Sequence, residues 1–200
     1  LASNGVRSIL FLGQPDDVFV HQFEDCEAFG IAGVSRSQTP GWMDANLPPV
    51  FEWMRRLETP LCHYKVCSTF DSSPEIGNIG RAIETGQRVF DTNCVPVLVG
   101  APSLRRYVVF GNLFATADGR TWRIDRHPTM SRHPVTPMHE ADLTLHLSEQ
   151  TRLRAASFHL LDLRAEDADD RFSQLCSQSP IVVLDTLDDD SLLRSGALLW

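Results

Sequence analysis

Chemistry concentrates in one stretch, Tyr64-Lys65-Val66-Cys67-Ser68-Thr69-Phe70-Asp71-Ser72-Ser73-Pro74-Glu75-Ile76-Gly77-Asn78-Ile79-Gly80. Ser68, Thr69, Ser72 and Ser73 offer hydroxyl groups, and Lys65 adds a full positive charge. Ser73-Pro74 has the order of a helix N-cap followed by proline at the first helical position. A helix start presents free N–H groups and the positive end of the helix dipole. Gly77 and Gly80 allow close backbone approach, and Asn78 stands between them. Together these groups suit a carboxylate that carries several hydroxyls. The order G-x-x-x-x-G-K-[ST] of a nucleotide phosphate loop is absent. The plainer alternative is a strand-turn-helix joint whose serines cap it.

Two further segments carry cations. Val34-Ser35-Arg36-Ser37-Gln38-Thr39-Pro40 leaves a short apolar run, and Arg36 can fork onto a carboxylate in a way that lysine cannot. Its plainer reading is a solvated turn. Residues 126–138 bring Arg126, His127, Arg132 and His133 into one proline-stiffened loop, the kind of fixed loop that positions functional groups. The two histidines lack the cysteine or carboxylate partners that would complete a metal set. Histidines 21, 63, 139, 146 and 159 are scattered and read as surface or packing residues. Asp16-Asp17 and Asp188-Asp189-Asp190 read as structural, the latter as the acidic first turn of a helix. No hydrolase elbow, zinc-protease helix or calcium loop is present.

The elements that must position these groups alternate. Residues 6–12, 29–34, 61–67, 95–99, 158–163 and 181–184 read as strands. Helices are expected over 47–57, with Pro48-Pro49 in the first turn, and from Ser73-Pro74 through Ile76, Ile79 and Ile83 to Phe90. Others are expected from Thr136-Pro137 through Leu147, over 166–175, and over 188–200. Residues 107–114 and 121–124 flank Asp118-Gly119, a strong hairpin signal. The alternation predicts an α/β fold, a mainly parallel sheet with helices on both faces and a β-hairpin excursion. Ligands of such folds bind at the carboxyl edge of the strands.

The chain has 200 residues, enough for one α/β domain, and 42% of them are apolar. Its formal charge of −8, from 18 basic and 26 acidic residues, argues against a nucleic-acid partner. An acidic protein that binds an anion must gather cations or N–H groups locally, which gives Arg36, Lys65 and Arg126 their weight. No apolar run is long enough to cross a membrane, and no secretory signal opens the chain. Five cysteines without a C-x-x-C spacing read as free thiols, which fits a cytoplasmic protein. The chain opens almost directly into a strand and stops inside a helix at Trp200, so truncation at both ends is expected.

At these residues the chain resembles the four-carbon acid sugar kinases. Lys65-Val66-Cys67-Ser68-Thr69 matches their Lys-x-x-Ser-Thr, and Gly77-Asn78-Ile79-Gly80 their Gly-Asn-Ile-Gly. The segment from Val95 to Pro102 resembles their next core strand and its Ala-Pro turn. Thr136-Pro137-Met138 resembles the end of their proline-rich loop, and Ser35-Arg36-Ser37 their Arg-Ser element at a strand end. The likeness covers nearly the whole chain. It implies that residues 1–200 form an N-terminal domain that binds a sugar acid, with a C-terminal ATP-binding domain absent. The full enzyme would phosphorylate threonate, erythronate or 3-oxo-tetronate to its 4-phosphate, using ATP and Mg2+ bound mainly outside this chain.

Under that resemblance Arg36, Ser37, Lys65, Ser68, Thr69, Ser72, Ser73, Gly77, Asn78, Gly80, Arg126 and His127 would meet the substrate. The catalytic base would be an aspartate of the family's opening Asp-Asp motif, which this chain lacks, or else Asp71. Phe70-Asp71-Ser72-Ser73 stands where many relatives carry a Leu-Arg pair, which leaves the substrate subgroup open. A non-catalytic sugar-acid-binding or interaction module is the alternative. A hydrolase is disfavoured because Ser68 has no histidine at a motif spacing. Homo-oligomerisation stays open.

Overall fold

The computed structural model describes residues 1–16, 20–23 and 25–200, so Asp17 of the Asp16-Asp17 pair lies outside the described residues. Among the described residues two parallel sheets and one antiparallel sheet organise the fold. The first pairs β1 (Ser8–Phe11) with β2 (Ala28–Ile31) in parallel. The second has the order β3-β8-β7, with β3 (Val95–Leu98) and β7 (Ala155–Phe158) both parallel to β8 (Ile181–Leu184). The four residues of β8 are all apolar and all buried, the pattern of a strand covered on both faces.

Side-chain alternation divides that sheet between two layers of helix. On one face Val97, Ile181 and Val183 pack with Ile79 and Ile83 of α2 (Ile79–Phe90) and with Leu143 and Leu147 of α3 (Leu143–Ser148). On the other, Val182, Leu184 and Phe158 meet Leu163 of α4 (Leu160–Leu163) and Phe172 of α5 (Ala168–Gln178). Leu198 of α6 (Asp189–Leu199) closes that layer. The fold is α/β with parallel sheets, as the alternation predicts. The last preceding helix, α1 (Pro40–Arg56), packs on α2 through Met43, Leu47, Phe51 and Ala82.

The antiparallel excursion has three strands, β4 (Arg106–Val109), β5 (Asn112–Ala117) and β6 (Arg120–Arg123). Asp118 and Gly119, both at positive φ, form the expected turn. Residues 107–114, expected as one strand, are instead split by a second turn at Phe110-Gly111. The buried Asp185 carboxylate holds that turn by accepting from the Phe110 N–H at 2.7 Å and the Gly111 N–H at 2.9 Å.

Other expected boundaries move for local reasons. Helix α1 begins at Pro40, because Thr39 caps it and Pro40 takes the first position, so Pro48 and Pro49 lie in its interior. Residues 61–67 form no strand and run as an irregular connection. Helix α2 starts at Ile79 under an Asn78 cap, not at Ser73-Pro74. Gly77, with φ at 62°, sits in the left-handed region, where a right-handed helix cannot pass. Helix α3 starts under Asp142, whose carboxylate accepts from Thr144 N and Leu145 N, not at Thr136. Residues 158–163 are strand only at Phe158, and α4 follows once Leu160 N donates to Asp185.

Candidate functional site

The turn after β2 and the irregular segment 64–77 enclose a cavity of about 210 Å³ lined by Gly33, Ser35, Arg36, Tyr64, Lys65, Cys67, Asp71 and Gly77 among others. Two contacts press these segments together. Gly77 N donates to the Gln38 carbonyl at 2.9 Å. A Cβ on Gly77 would stand 2.4 Å from the Arg36 carbonyl oxygen. Gly77 is therefore required by the chain's own backbone. Ser35 and Tyr64 share a hydrogen bond of 2.7 Å across the cavity wall, and burial raises the Tyr64 phenol above its ordinary value.

Asp71 and Arg36 form the centre. The Asp71 side chain is 1% exposed and that of Arg36 61% exposed. Arg36 Nη2 donates to both carboxylate oxygens, at 3.0 and 2.9 Å. Thr69 Oγ1 donates to Oδ1 at 2.5 Å and Thr136 Oγ1 to Oδ2 at 3.1 Å. Burial pushes the Asp71 carboxyl up, but the Thr69, Arg36 and Thr136 donors outweigh it and hold the group below its ordinary value. Asp71 is thus ionised at neutral pH, with both carboxylate oxygens engaged by donors. Its geometry is that of an anchor for Arg36.

The Asp71 hydrogen bonds raise the Arg36 guanidinium above its ordinary value, so it is permanently charged. Among the described residues no second carboxylate pairs with Arg36, and Lys65, exposed at the cavity, has no carboxylate partner. Two cations thus face one cavity against a single, fully engaged carboxylate. This local excess of positive charge in an acidic chain can hold an anion.

The remaining sequence candidates divide. Ser37 donates to the Val34 carbonyl at 3.0 Å and Ser73 closes a turn by accepting from Ile76 N at 3.0 Å. Ser68 lies half-buried on the turn before Asp71. Ser72 is buried, donating to the Phe70 carbonyl at 3.0 Å. The N-terminus of α2 does not present free amides to a ligand, as the sequence suggested. Ile79 N donates to Gln150 Oε1 at 2.8 Å and Arg81 N to Asn78 Oδ1 at 2.6 Å. Gly80 is small because Gln150 and Thr151 press on it: a Cβ there would stand 2.9 Å from both. Gln150 Nε2 also donates to Ser72 Oγ at 2.9 Å and lies 3.0 Å from His146 Nε2. Burial holds that histidine below its ordinary value and hence neutral.

Arg126 and His127 do not line the cavity. Arg126 is 75% exposed and stands 4.0 Å from Asp125. His127 is buried, and its Nδ1 accepts from Thr129 N and Met130 N, each at 3.2 Å. The loop they belong to reaches the site at its far end, through Thr136. In the sequence Thr136 read only as a helix cap and as part of the resembling Thr136-Pro137-Met138 step, not as a site residue, and Gln150 carried no signal. Among the described residues no three His, Cys, Asp or Glu side chains cluster to hold a metal ion. A wider cavity of about 580 Å³ lies beside Arg81, Glu84 and Arg152. Arg81 is already paired there, with Asp44 at 2.5 Å and Glu84 at 2.7 Å.

A family model described as a sugar-binding N-terminal domain matches residues 1–200. The 3-oxo-isoapionate kinase of Paraburkholderia graminis is 49% identical over 197 residues, covering 98% of this chain and 42% of that protein. The 3-oxo-tetronate kinase of Brucella melitensis is 28% identical over 200 residues, covering 98% of this chain and 44% of that one. The chain therefore spans less than half the length of these relatives. Among solved structures, a Haemophilus influenzae protein of the DUF1537 family superposes with a TM-score of 0.83 at 21% identity, over 96% of this chain and 45% of that one. A Bordetella bronchiseptica DUF1537 domain, solved with bound citrate as a domain-swapped dimer, gives 0.72 at 19% identity, over 96% and 44%. These two likenesses speak for the fold alone.

Proposed function

The chain belongs to the family of sugar-binding N-terminal domains, and from that premise we propose that it is the substrate-binding domain of a sugar-acid kinase. The observation that carries the reading is the Arg36 guanidinium, held by the buried Asp71 in one cavity beside Lys65, which has no carboxylate partner among the described residues. A guanidinium fixed through Nη2 alone keeps other N–H donors for a charge-assisted bond to a ligand carboxylate.

Relatives named as 3-oxo-isoapionate and 3-oxo-tetronate kinases support a 3-oxo sugar acid as the substrate class. The identity of 49% against 28% favours 3-oxo-isoapionate over the four-carbon acids threonate, erythronate and 3-oxo-tetronate. In this reading Arg36 and Lys65 neutralise the carboxylate, and the Ser35–Tyr64 pair lines the wall that meets the hydroxyls. Asp71 keeps the guanidinium in place and takes no proton. ATP and Mg2+ would be held by a C-terminal domain beyond these residues, and no step is assigned to them on this chain. A reducing cytoplasm is the compartment that suits five free thiols.

Calorimetric titration of the full-length protein with 3-oxo-isoapionate, 3-oxo-tetronate and threonate tests the reading, with Arg36→Met as the variant. Saturable binding that drops at least tenfold in Arg36→Met is expected, since a hydrogen bond to a charged group contributes about 1.5–3 kcal/mol. Binding unaffected by Arg36→Met would sink the assignment of the anion site. The isolated domain should form no ADP from ATP and any of these acids, whereas the full-length protein should. Absence of turnover in the full-length protein, with binding intact, would instead favour a non-catalytic sugar-acid-binding module.

A further inference from the structure

We infer that Thr136 is a positioning residue for this anion site: its hydroxyl fixes the Asp71 carboxylate and, through it, the direction of the Arg36 guanidinium. The proline-rich loop thereby controls the pocket without touching its ligand. The inference rests on the reading of Arg36 as the anion anchor.

Asp71 receives one hydroxyl on each carboxylate oxygen, Thr69 on Oδ1 and Thr136 on Oδ2, while Arg36 Nη2 spans the two. Thr69 comes from the same loop as Asp71, two positions away. It moves with Asp71 and cannot by itself define the carboxylate plane relative to the rest of the fold. Thr136 is 3% exposed and arrives from a segment 65 positions away. It is the tie that refers the carboxylate, and with it the guanidinium, to the core.

The proton count supports this direction of donation. Thr136 Oγ1 carries one hydrogen and has two acceptors in reach, Asp71 Oδ2 at 3.1 Å and His133 Nδ1 at 3.0 Å. His133 Nδ1 already accepts from the Thr136 backbone N–H at 3.1 Å. The ionised carboxylate is the stronger acceptor, so the hydroxyl hydrogen goes to Asp71, and His133 carries its own hydrogen on Nε2.

The loop is built to hold Thr136 still. His127 Nδ1 pins Thr129 and Met130, and Met138 N donates to the Met130 carbonyl at 2.9 Å. Met130 and Met138 are both buried in the main core. Pro134 and Pro137 restrict the backbone on either side of Thr136. His127, placed in the sequence as a ligand contact, thus acts at one end of a strut whose other end is Thr136.

The test uses the full-length protein with Thr136→Val, which keeps the volume and removes the hydroxyl, and Thr136→Ser, which keeps the hydroxyl. Thr136→Ala replaces the valine variant should that one fold poorly. Each is combined with Arg36→Met, and affinity for 3-oxo-isoapionate is measured by calorimetry. Thr136→Val should weaken binding about tenfold, and Thr136→Ser should restore it to within about threefold. In the Arg36→Met background Thr136→Val should change nothing further, because it acts through Arg36. An additive loss in that background, or full-strength binding by Thr136→Val, overturns the inference.

A second arm needs no ligand. A crystal structure of ligand-free Thr136→Val should show the Arg36 guanidinium turned away from Asp71, and a guanidinium still donating to both Asp71 oxygens as in the wild type would overturn the inference. If the wild type binds no sugar acid, the functional reading fails, and this structure still decides whether Thr136 positions Arg36.

Discussion

Asp71→Asn separates the anchor role of this residue from that of a base. The amide keeps the shape of the carboxylate and removes its charge. Its oxygen can still accept from Thr69, in place of the bond now 2.5 Å long, though as a weaker neutral pair. Its nitrogen then confronts two donors, Arg36 Nη2 and the Thr136 hydroxyl. Thr136 can turn its hydrogen to His133 Nδ1 at 3.0 Å, so that loss is partly recovered. Arg36, 61% exposed, can swing into water, so the ion pair itself contributes little to stability. What remains is one weakened charge-assisted bond and one buried amide N–H without an acceptor, together about 2–3 kcal/mol. For a 200-residue domain that lowers the unfolding midpoint by about 4–12 °C.

The pH dependence sharpens the test. The folded Asp71 carboxyl lies below its ordinary value, so its contribution is fully present above the unfolded value of about 3.9. It is lost as pH falls through the folded value. The gap between wild type and Asp71→Asn, followed by urea unfolding, should therefore be constant above about pH 4 and close below it. Sugar-acid affinity should fall with stability at neutral pH, because Arg36 is no longer held. A variant with an unchanged midpoint, or a gap independent of pH down to about 2, would refute the account of Asp71 as a buried, ionised anchor.

Four further outcomes follow from contacts elsewhere in the domain. Gly77→Ala should lose at least about 2 kcal/mol in urea unfolding, since it combines left-handed strain with a methyl driven onto the Arg36 carbonyl. Gly86→Ala, in the interior of α2 with Phe51 no closer than 3.7 Å, should instead gain up to about 1 kcal/mol. Gln150→Leu should cost about 1–3 kcal/mol, because it leaves the Ile79 amide buried without an acceptor. Burial holds His146 and His127 below their ordinary value, so the unfolded chain takes up these protons first. Stability should then decline as pH falls below about 6.5. His146→Gln should flatten that slope, and an unchanged slope would remove His146 from the account.

Some of this protein was written into short runs of its sequence. Four consecutive buried apolar residues, Ile181 to Leu184, are enough to specify a strand covered on both faces, and Asp118-Gly119 is enough to specify a turn. Each is decided by the residues themselves, through periodicity or through the backbone conformations they tolerate. The alternation of such runs fixed the fold class, and the hydroxyl-rich segment with its nearby cations marked where an anion site would lie.

Tertiary structure decided what each group there does. Ser73-Pro74 is a sound local helix start, yet Gly77 packs against the Arg36 carbonyl in a left-handed conformation and postpones the helix to Ile79. The amides at that start are free by local rules, until Gln150 arrives from beyond α3 and takes Ile79 N. Arg126 and His127 looked like ligand contacts by charge and by their place in a stiff loop, and only packing turned one to solvent and the other inward. Asp71 could have been a base or an anchor from its sequence neighbours alone. Arg36 and Thr136, brought from both sides in sequence, supply donors that favour the anchor reading, because the proton affinity of a buried carboxylate is set by the groups around it.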